Sequence, residues 1–403
     1  MLMLLRLRGA SSVLAAMLLL AVAGCNDAPS IVGSEIVPGT DTIYAHSSID
    51  FPFLPLDSVA GARQPLINGT YFLLGNTQND QARVLLEFLN YPKLGAADSF
   101  SLVSADLLVY PQDYKYGDTT DATVAFNVFE LSKEWSVTAT WDSIWSADGA
   151  SSYYSTGQPP VATFNELVTT PADSVVRVPF NKDVVKRWLV NGQDSLLSKE
   201  IYGVVLHPTN TGVIRQFRNL SGVSQRMKLR VITSRTSDPS KIDTNLVECA
   251  VGNYVNTPAA EANERIVQGA RVHKFLLRVS LDSLPPASAI FGGTLRLTAN
   301  DAASTWGSYG RDEIVSVVYQ PLIGSPIELS SRADANGVFT FVNLGPLLQL
   351  IRREGGTANL IVKPAGAYET WRMNRVRFYG LADAPDVRPR LTVAYSIIGV
   401  FDK

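Results

Sequence analysis

Cysteine and histidine are nearly absent from this 403-residue chain, which carries only Cys25 and Cys249 of the first and His46, His207 and His273 of the second. Two cysteines allow one disulfide at most, so a fold stapled by disulfides is excluded. A chain of this length can bury enough apolar surface without staples. Three histidines with no H-x-x-x-H or H-x-H spacing leave no zinc motif, and no G-x-S-x-G elbow accompanies them as a nucleophile. They read as surface or loop residues. C-x-x-C, P-loop and dinucleotide signatures are missing too. Nor does one sign of charge prevail: 35 basic residues face 37 acidic ones, for a net charge of -2. Without a Lys/Arg run there is nothing to engage a phosphate backbone, and no nucleic-acid partner is expected.

Only one apolar run stands out, and it lies at the N-terminus. Arg6 and Arg8 precede Ala10 to Ala23, and Val22-Ala23-Gly24-Cys25 closes the run. The run is shorter than the roughly 18 to 20 residues that span a bilayer as a helix, so it reads as a cleaved signal over 1–24. Small residues before a cysteine resemble a bacterial lipobox. The resemblance implies lipidation of Cys25, with each buried acyl methylene (of palmitate, for example) contributing about 0.8 kcal/mol of membrane affinity. Asn26 rather than Asp after the cysteine favours the outer membrane over the inner, by analogy with known sorting rules. Residues 25–40 then form a polar tether. Cys249, left without a partner and with nothing basic beside it, reads as a small buried hydrophobe.

Beyond the tether the pattern is strand after strand. Short runs rich in Val, Leu, Tyr and Phe, such as Ala82–Leu89, Ala105–Tyr110 and Tyr202–His207, are separated by Gly, Pro, Asn and Asp. One segment departs: Val184, Val185, Trp188 and Leu189 fall at helical spacing, with Asn181 placed to cap the start and Asn191-Gly192 ending it. The second half repeats this order. Phe275–Val279 answers Val84–Phe88, Gly293–Thr298 answers Ala105–Tyr110, and a helical stretch over Pro346–Arg352 answers the first. Ala358–Pro364 answers Tyr202–Pro208, and Pro389–Ala394 answers Met227–Ile232. The expected fold is all-β: two tandem jelly-roll-like sandwiches over 41–235 and 242–403, joined near Arg235–Lys241, each with one short helix.

These segments resemble the DNRLRE family of secreted β-sandwich domains. Tyr71–Gly75 and Val84–Phe88 match its opening strands, and Ala105–Val109 matches its small-x-L-x-L strand. Trp135 to Trp141 matches its W-x-x-x-x-T-W segment, and Tyr202–Leu206 its YG-x-x-L strand. The second copy lacks the tryptophan pair, and Ile351 stands where Trp188 stood. Ile31 to Gly39 also resembles the start of an uncharacterised family of all-β bacterial surface lipoproteins. The first resemblance implies company with cell-surface, adhesive or carbohydrate-binding modules.

Aromatic residues concentrate in the first copy. Flat rings stack on sugar faces, so Tyr114, Tyr116, Trp145, Tyr153 and Tyr154, read as exposed loop residues, are the candidate ligand-binding set. Trp135 and Trp188 are assigned to the core. Asp113, Asp118 and Asp121, in one glycine-containing loop, are candidate calcium ligands, although Lys115 competes and the spacing is not that of an EF-hand. Carboxylates such as Glu130 with Glu134, or Asp312 with Glu313, would serve glycoside hydrolysis only if they faced one another. Three functions follow: a non-catalytic, lipid-anchored module for binding or for an envelope assembly, with polysaccharide among its candidate ligands, a surface glycan hydrolase, or a purely structural subunit with an envelope-protein partner. The first is preferred, and no cofactor is expected beyond the possible calcium.

Overall fold

The computed structural model of the chain describes residues 43–61, 65–121, 123–146, 148–167, 174–210, 212–219, 225–262, 264–270, 273–311, 313–366 and 368–397. The expected signal over 1–24, Cys25 and the expected tether to residue 40 lie outside the described residues. The strands run β1 Ile43–Ser47, β2 Leu56–Gly61, β3 Leu66–Ile67, β4 Tyr71–Asn76, β5 Gln81–Leu89, β6 Phe100–Gly117, β7 Thr123–Glu130, β8 Ala162–Leu167, β9 Val176–Pro179, β10 Val204–Pro208, β11 Val213–Arg218, β12 Lys228–Arg235 and β13 Asp238–Asn256. They continue with β14 Arg265–Gln268, β15 His273–Ser280, β16 Ser288–Thr298, β17 Ile314–Tyr319, β18 Ile327–Arg332, β19 Val338–Phe341, β20 Thr357–Pro364, β21 Arg375–Phe378 and β22 Arg390–Ile397. The helices are α1 Trp141–Ile144, α2 Lys182–Asn191, α3 Gly345–Arg353 and α4 Tyr368–Trp371. No helix among the described residues is long and apolar enough to cross a membrane.

The fold is all-β and antiparallel. Two hydrophobic cores form, one under β5, β6, β7, β10 and β12, the other under β15, β16, β17, β20 and β22. Alternation drives this: Val84, Leu86 and Phe88 of β5 turn inward together, as do Phe275, Leu277 and Val279 of β15. The expected helices close the ends. Asn181 accepts from the Asp183 and Val184 amides to start α2, which buries Val185, Trp188 and Leu189. Gly192 ends it with ordinary φ, and a Cβ there would fall 2.6 Å from the Tyr91 ring. In α3, Ile351 is buried at the place of Trp188. Each sandwich also carries one four-residue turn of helix, α1 and α4, that the sequence reading did not include.

The pairings repeat between halves. β5 pairs β4 and β10, and β10 pairs β7, which pairs β8. In the same way β15 pairs β14 and β20, and β20 pairs β17, which pairs β18. β6 lies between β9 and β12 as β16 lies between β19 and β22.

The boundary expected at 235–242 needs correction in space. Arg235 and Asp238 pair across a hairpin, and β13 runs on from it along β12 and then along β5, closing the first sandwich. The equivalent places in the second sandwich, beside β22 and β15, are taken by β1 and β2. Each repeat therefore hands its leading strand to the body of the other. The first sandwich comprises 65–256, and the second comprises 265–397 with 43–61. Because β6 and β13 each run through both layers, the first sandwich is hydrogen-bonded into one sheet of 11 strands. In the second, β1 and β2 split that role and the layers stay separate, with four and seven strands.

A third cluster joins the sandwiches: Leu73, Ala82, Tyr114, Tyr116, Ile214, Val255, Ala270 and Met373. The Tyr114 hydroxyl donates to Asn374 Oδ1 at 2.9 Å and accepts from the Met373 amide at 2.8 Å. Gly307 lies on the Tyr114 ring, where a Cβ would fall 2.5 Å from it.

Candidate functional site

One connection distinguishes the two sandwiches. Between β17 and β18 the chain needs only residues 320–326, whereas between β7 and β8 it runs from 131 to 161. That insertion folds into a lobe on the outer face of β5 and β10. Its own core consists of Leu131, Trp135, Trp141, Ile144, Trp145 and Tyr154 packed on Leu85, Phe129, Val205 and Tyr254. Trp141 and Trp145 lie 4.4 Å apart, centroid to centroid. Lobe formation explains why aromatics gather in the first copy: a small lobe needs large rings to bury enough area.

This arrangement revises the aromatic set. Trp145 and Tyr154 are buried in the lobe, and Tyr114 and Tyr116 are buried in the joint. Only Tyr153 is part-exposed, with Lys133 Nζ 4.5 Å from its ring centre. Four of the five therefore offer no open ring face to a sugar. The missed signal was alternation: Gln112, Tyr114 and Tyr116 are buried while Asp113 and Gly117 are exposed, because this stretch is the end of the long strand β6. Trp135 and Trp188 are buried as expected. So is Cys249, whose thiol burial pushes up to about 12 and which donates to the Met227 carbonyl at 3.1 Å.

The acidic trio is likewise dispersed. Asp113 sits within β6, whereas Asp118 accepts from the Thr120 amide and hydroxyl, and Asp121 accepts from the Thr123 amide at 2.7 Å. These bonds hold the Asp118 carboxyl below its ordinary range and build a turn. No group of three or more His, Cys, Asp or Glu among the described residues is arranged to hold a metal. Glu130 is taken up by Arg187 and by Trp188 Nε1, Glu134 is exposed, and Asp312 lies outside the described residues.

The lobe leaves two clefts along its edges. The first, of about 460 Å³, is lined by Arg83, Asp148, Gly149, Ala150, Ser151, Tyr154, Ser155, Thr156 and His207. Arg83 comes from β5 and is only 5% exposed. Its guanidinium lies 5.1 Å and 5.3 Å from the ring centres of Trp141 and Trp145. Nη1 donates to the Gly149 carbonyl at 3.1 Å and to the Tyr154 hydroxyl at 3.2 Å. Tyr154 also accepts from Trp145 Nε1 at 3.0 Å, and its oxygen lies 2.8 Å from His207 Nδ1. Having accepted twice, the hydroxyl donates to Nδ1, which assigns the ring proton to Nε2. Burial first, then the Arg83 charge, lower the His207 pKa to about 4. His207 was read as a surface or loop residue and is instead a neutral, half-buried member of this network. His273, also read as a surface or loop residue, is buried with its Nε2 3.0 Å from Thr257 Oγ1.

The second cleft, of about 450 Å³, is lined by Glu87, Glu134, Trp135, Ser198, Lys199, Ile201 and Tyr202. Glu87, two residues beyond Leu85 on the same face of β5, has its carboxyl pKa raised by burial and then by the Glu134 charge. This pair escaped the sequence reading because the partners sit on different elements.

No family model matches the chain, and no curated protein matches it. Among solved structures, the C-terminal domain of the AgI/II polypeptide BspA of Streptococcus agalactiae aligns at 8% identity over 83% of this chain and 91% of that one, with a TM-score of 0.18. Similarity at that level says nothing about this chain's site.

Proposed function

We propose that this protein is a lipid-anchored cell-envelope module, held through Cys25 in the outer membrane, that binds polysaccharide in the cleft over Arg83, Tyr154 and His207 without cleaving it. The observation that carries the reading is the 131–161 lobe: the second sandwich closes without it, so the first has an element its fold does not need. The cleft suits a sugar chain because its rim supplies hydroxyls from Ser155 and Thr156 over a network of buried rings. His207 cannot act as a general base at neutral pH when Nδ1 already accepts a proton donor. Filling the cleft tests the reading. Ser155→Trp with Thr156→Trp should cut retention on a panel of envelope and matrix polysaccharides at least tenfold, while Tyr114→Phe, in the joint, should leave it unchanged. Unaltered retention in the filled variant would remove the site.

The pair Glu87 and Glu134 favours a second reading, a glycan hydrolase in which Glu87 acts as the acid. New reducing ends released by the wild type and abolished in Glu87→Gln would establish it.

A further inference from the structure

We infer that the polysaccharide taken by the first cleft is acidic, and that its carboxylate docks on the Arg83 guanidinium and the His207 Nε2–H. This inference rests on the binding reading above and adds the chemical class of the ligand. Arg83 is a cation with a twentieth of its surface exposed. Yet among the described residues no carboxylate lies within ion-pair distance of it. Asp148 lines the same cleft, but its carboxylate accepts from Ser146 Oγ at 2.5 Å and from the Ala150 amide at 3.2 Å. A buried charge without a counter-charge is costly, and a neutral side chain would serve to pack against the Trp141 and Trp145 rings. The cation is explained if an anion arrives from outside.

The donor count points the same way. Nη1 spends both hydrogens inside the lobe, but Nη2 has only Gln81 Oε1 at 3.1 Å, which leaves one hydrogen over. Gly149 holds the approach open: a Cβ there would sit 3.1 Å from Nη2. His207 adds the Nε2–H, which meets no acceptor among the described residues. Two donors at one cleft floor match the oxygens of a carboxylate, and the hydroxyl rim matches the sugar that carries it.

Calorimetric titration of the folded chain with polygalacturonate and with its fully methyl-esterified form tests this on one backbone with and without charge. The acidic polymer should bind at least tenfold more tightly. Arg83→Gln should erase that preference. Because Arg83 also braces the lobe, a carboxylate on the exposed rim provides a second test: Thr156→Glu should abolish the preference, while Ser325→Glu, on an exposed loop of the second sandwich, retains it. Equal binding of both polymers, or binding of neither, overturns the acidic inference, whereas the cleft reading falls only if the filled variant keeps its retention on the polysaccharide panel. Polyglutamate binding as tightly as polygalacturonate would assign the site to an acidic protein and overturn the choice of a glycan.

Discussion

Tyr154 sits where three side chains converge, and its hydroxyl is the only acceptor that Trp145 Nε1 has among the described residues. Tyr154→Phe strands that donor and one Nη1 hydrogen of Arg83, so the chain should lose about 2 to 3 kcal/mol in urea unfolding with its strand content intact. His207 makes stability depend on pH. Its folded-state pKa of about 4 lies below the ordinary 6.5, so protons bind the unfolded chain preferentially. The contribution is complete above about pH 6.5, is lost as pH falls from there towards 4, and is flat below. Allowing for partial exposure of the ring, the loss should be about 2 kcal/mol. Thermal melting across that window should show it in the wild type and not in His207→Gln. Of this network the sequence reading named Tyr154 and Trp145, as exposed rings, but not Arg83 or His207, because the three elements that carry Arg83, Tyr154 and His207 pair non-locally. Trp188 and Asn181 were legible, since a helix brings its own residues together at fixed spacing.

The strands were legible as elements, and so was their order of repetition: the matched segments occupy equivalent places in the two sandwiches. What the order does not contain is which body a leading strand joins. β1 and β2 have the hydrophobic pattern of any edge strand, and both copies present the same vacant place beside the last strand. Two anchors hold the exchange in the second sandwich. Phe53 and Leu54 are buried in its core, and Asp57 of β2 pairs with Arg265 while its other oxygen accepts from the Leu381 amide at 3.0 Å. Both partners of that ion pair are nearly buried, with side chains 8% and 11% exposed. Asp57→Ala leaves Arg265 an uncompensated buried charge, at a cost of about 3 to 5 kcal/mol. Hydrogen exchange should then quicken in β15 and β22 while β5 and β12 stay protected. Equal loss of protection in both sandwiches would mean that the strand is not an independent unit.

At the scale of the whole chain, the exchange makes the sequence repeat and the folding unit different objects. A fragment spanning 43–235 contains the whole first repeat but lacks β13, so β5 and β12 lose a partner and Cys249, Val247 and Val251 leave the core. It should be insoluble or molten by circular dichroism and gel filtration. A fragment spanning 65–256, cut across both repeats, should give a cooperative melt. The joint is also a product of the whole chain. Tyr114 spends its hydroxyl on residues some 260 positions away, so Tyr114→Phe should loosen the two sandwiches by about 1 to 2 kcal/mol with each still folded.

The donated segment has a mechanical consequence. A chain fastened upstream of Ile43 and pulled at the lobe feels tension along β1, an edge strand whose ladder to β22 opens one rung at a time from the Ile43–Ser396 end. Behind it come the Phe53 plug and β2, and the next described strand, β3, belongs to the first sandwich. Once drawn out, those 19 residues extend to roughly 60 to 70 Å. A chain so fastened would carry a reserve of length stored as secondary structure, while the cleft-bearing body keeps its own strands.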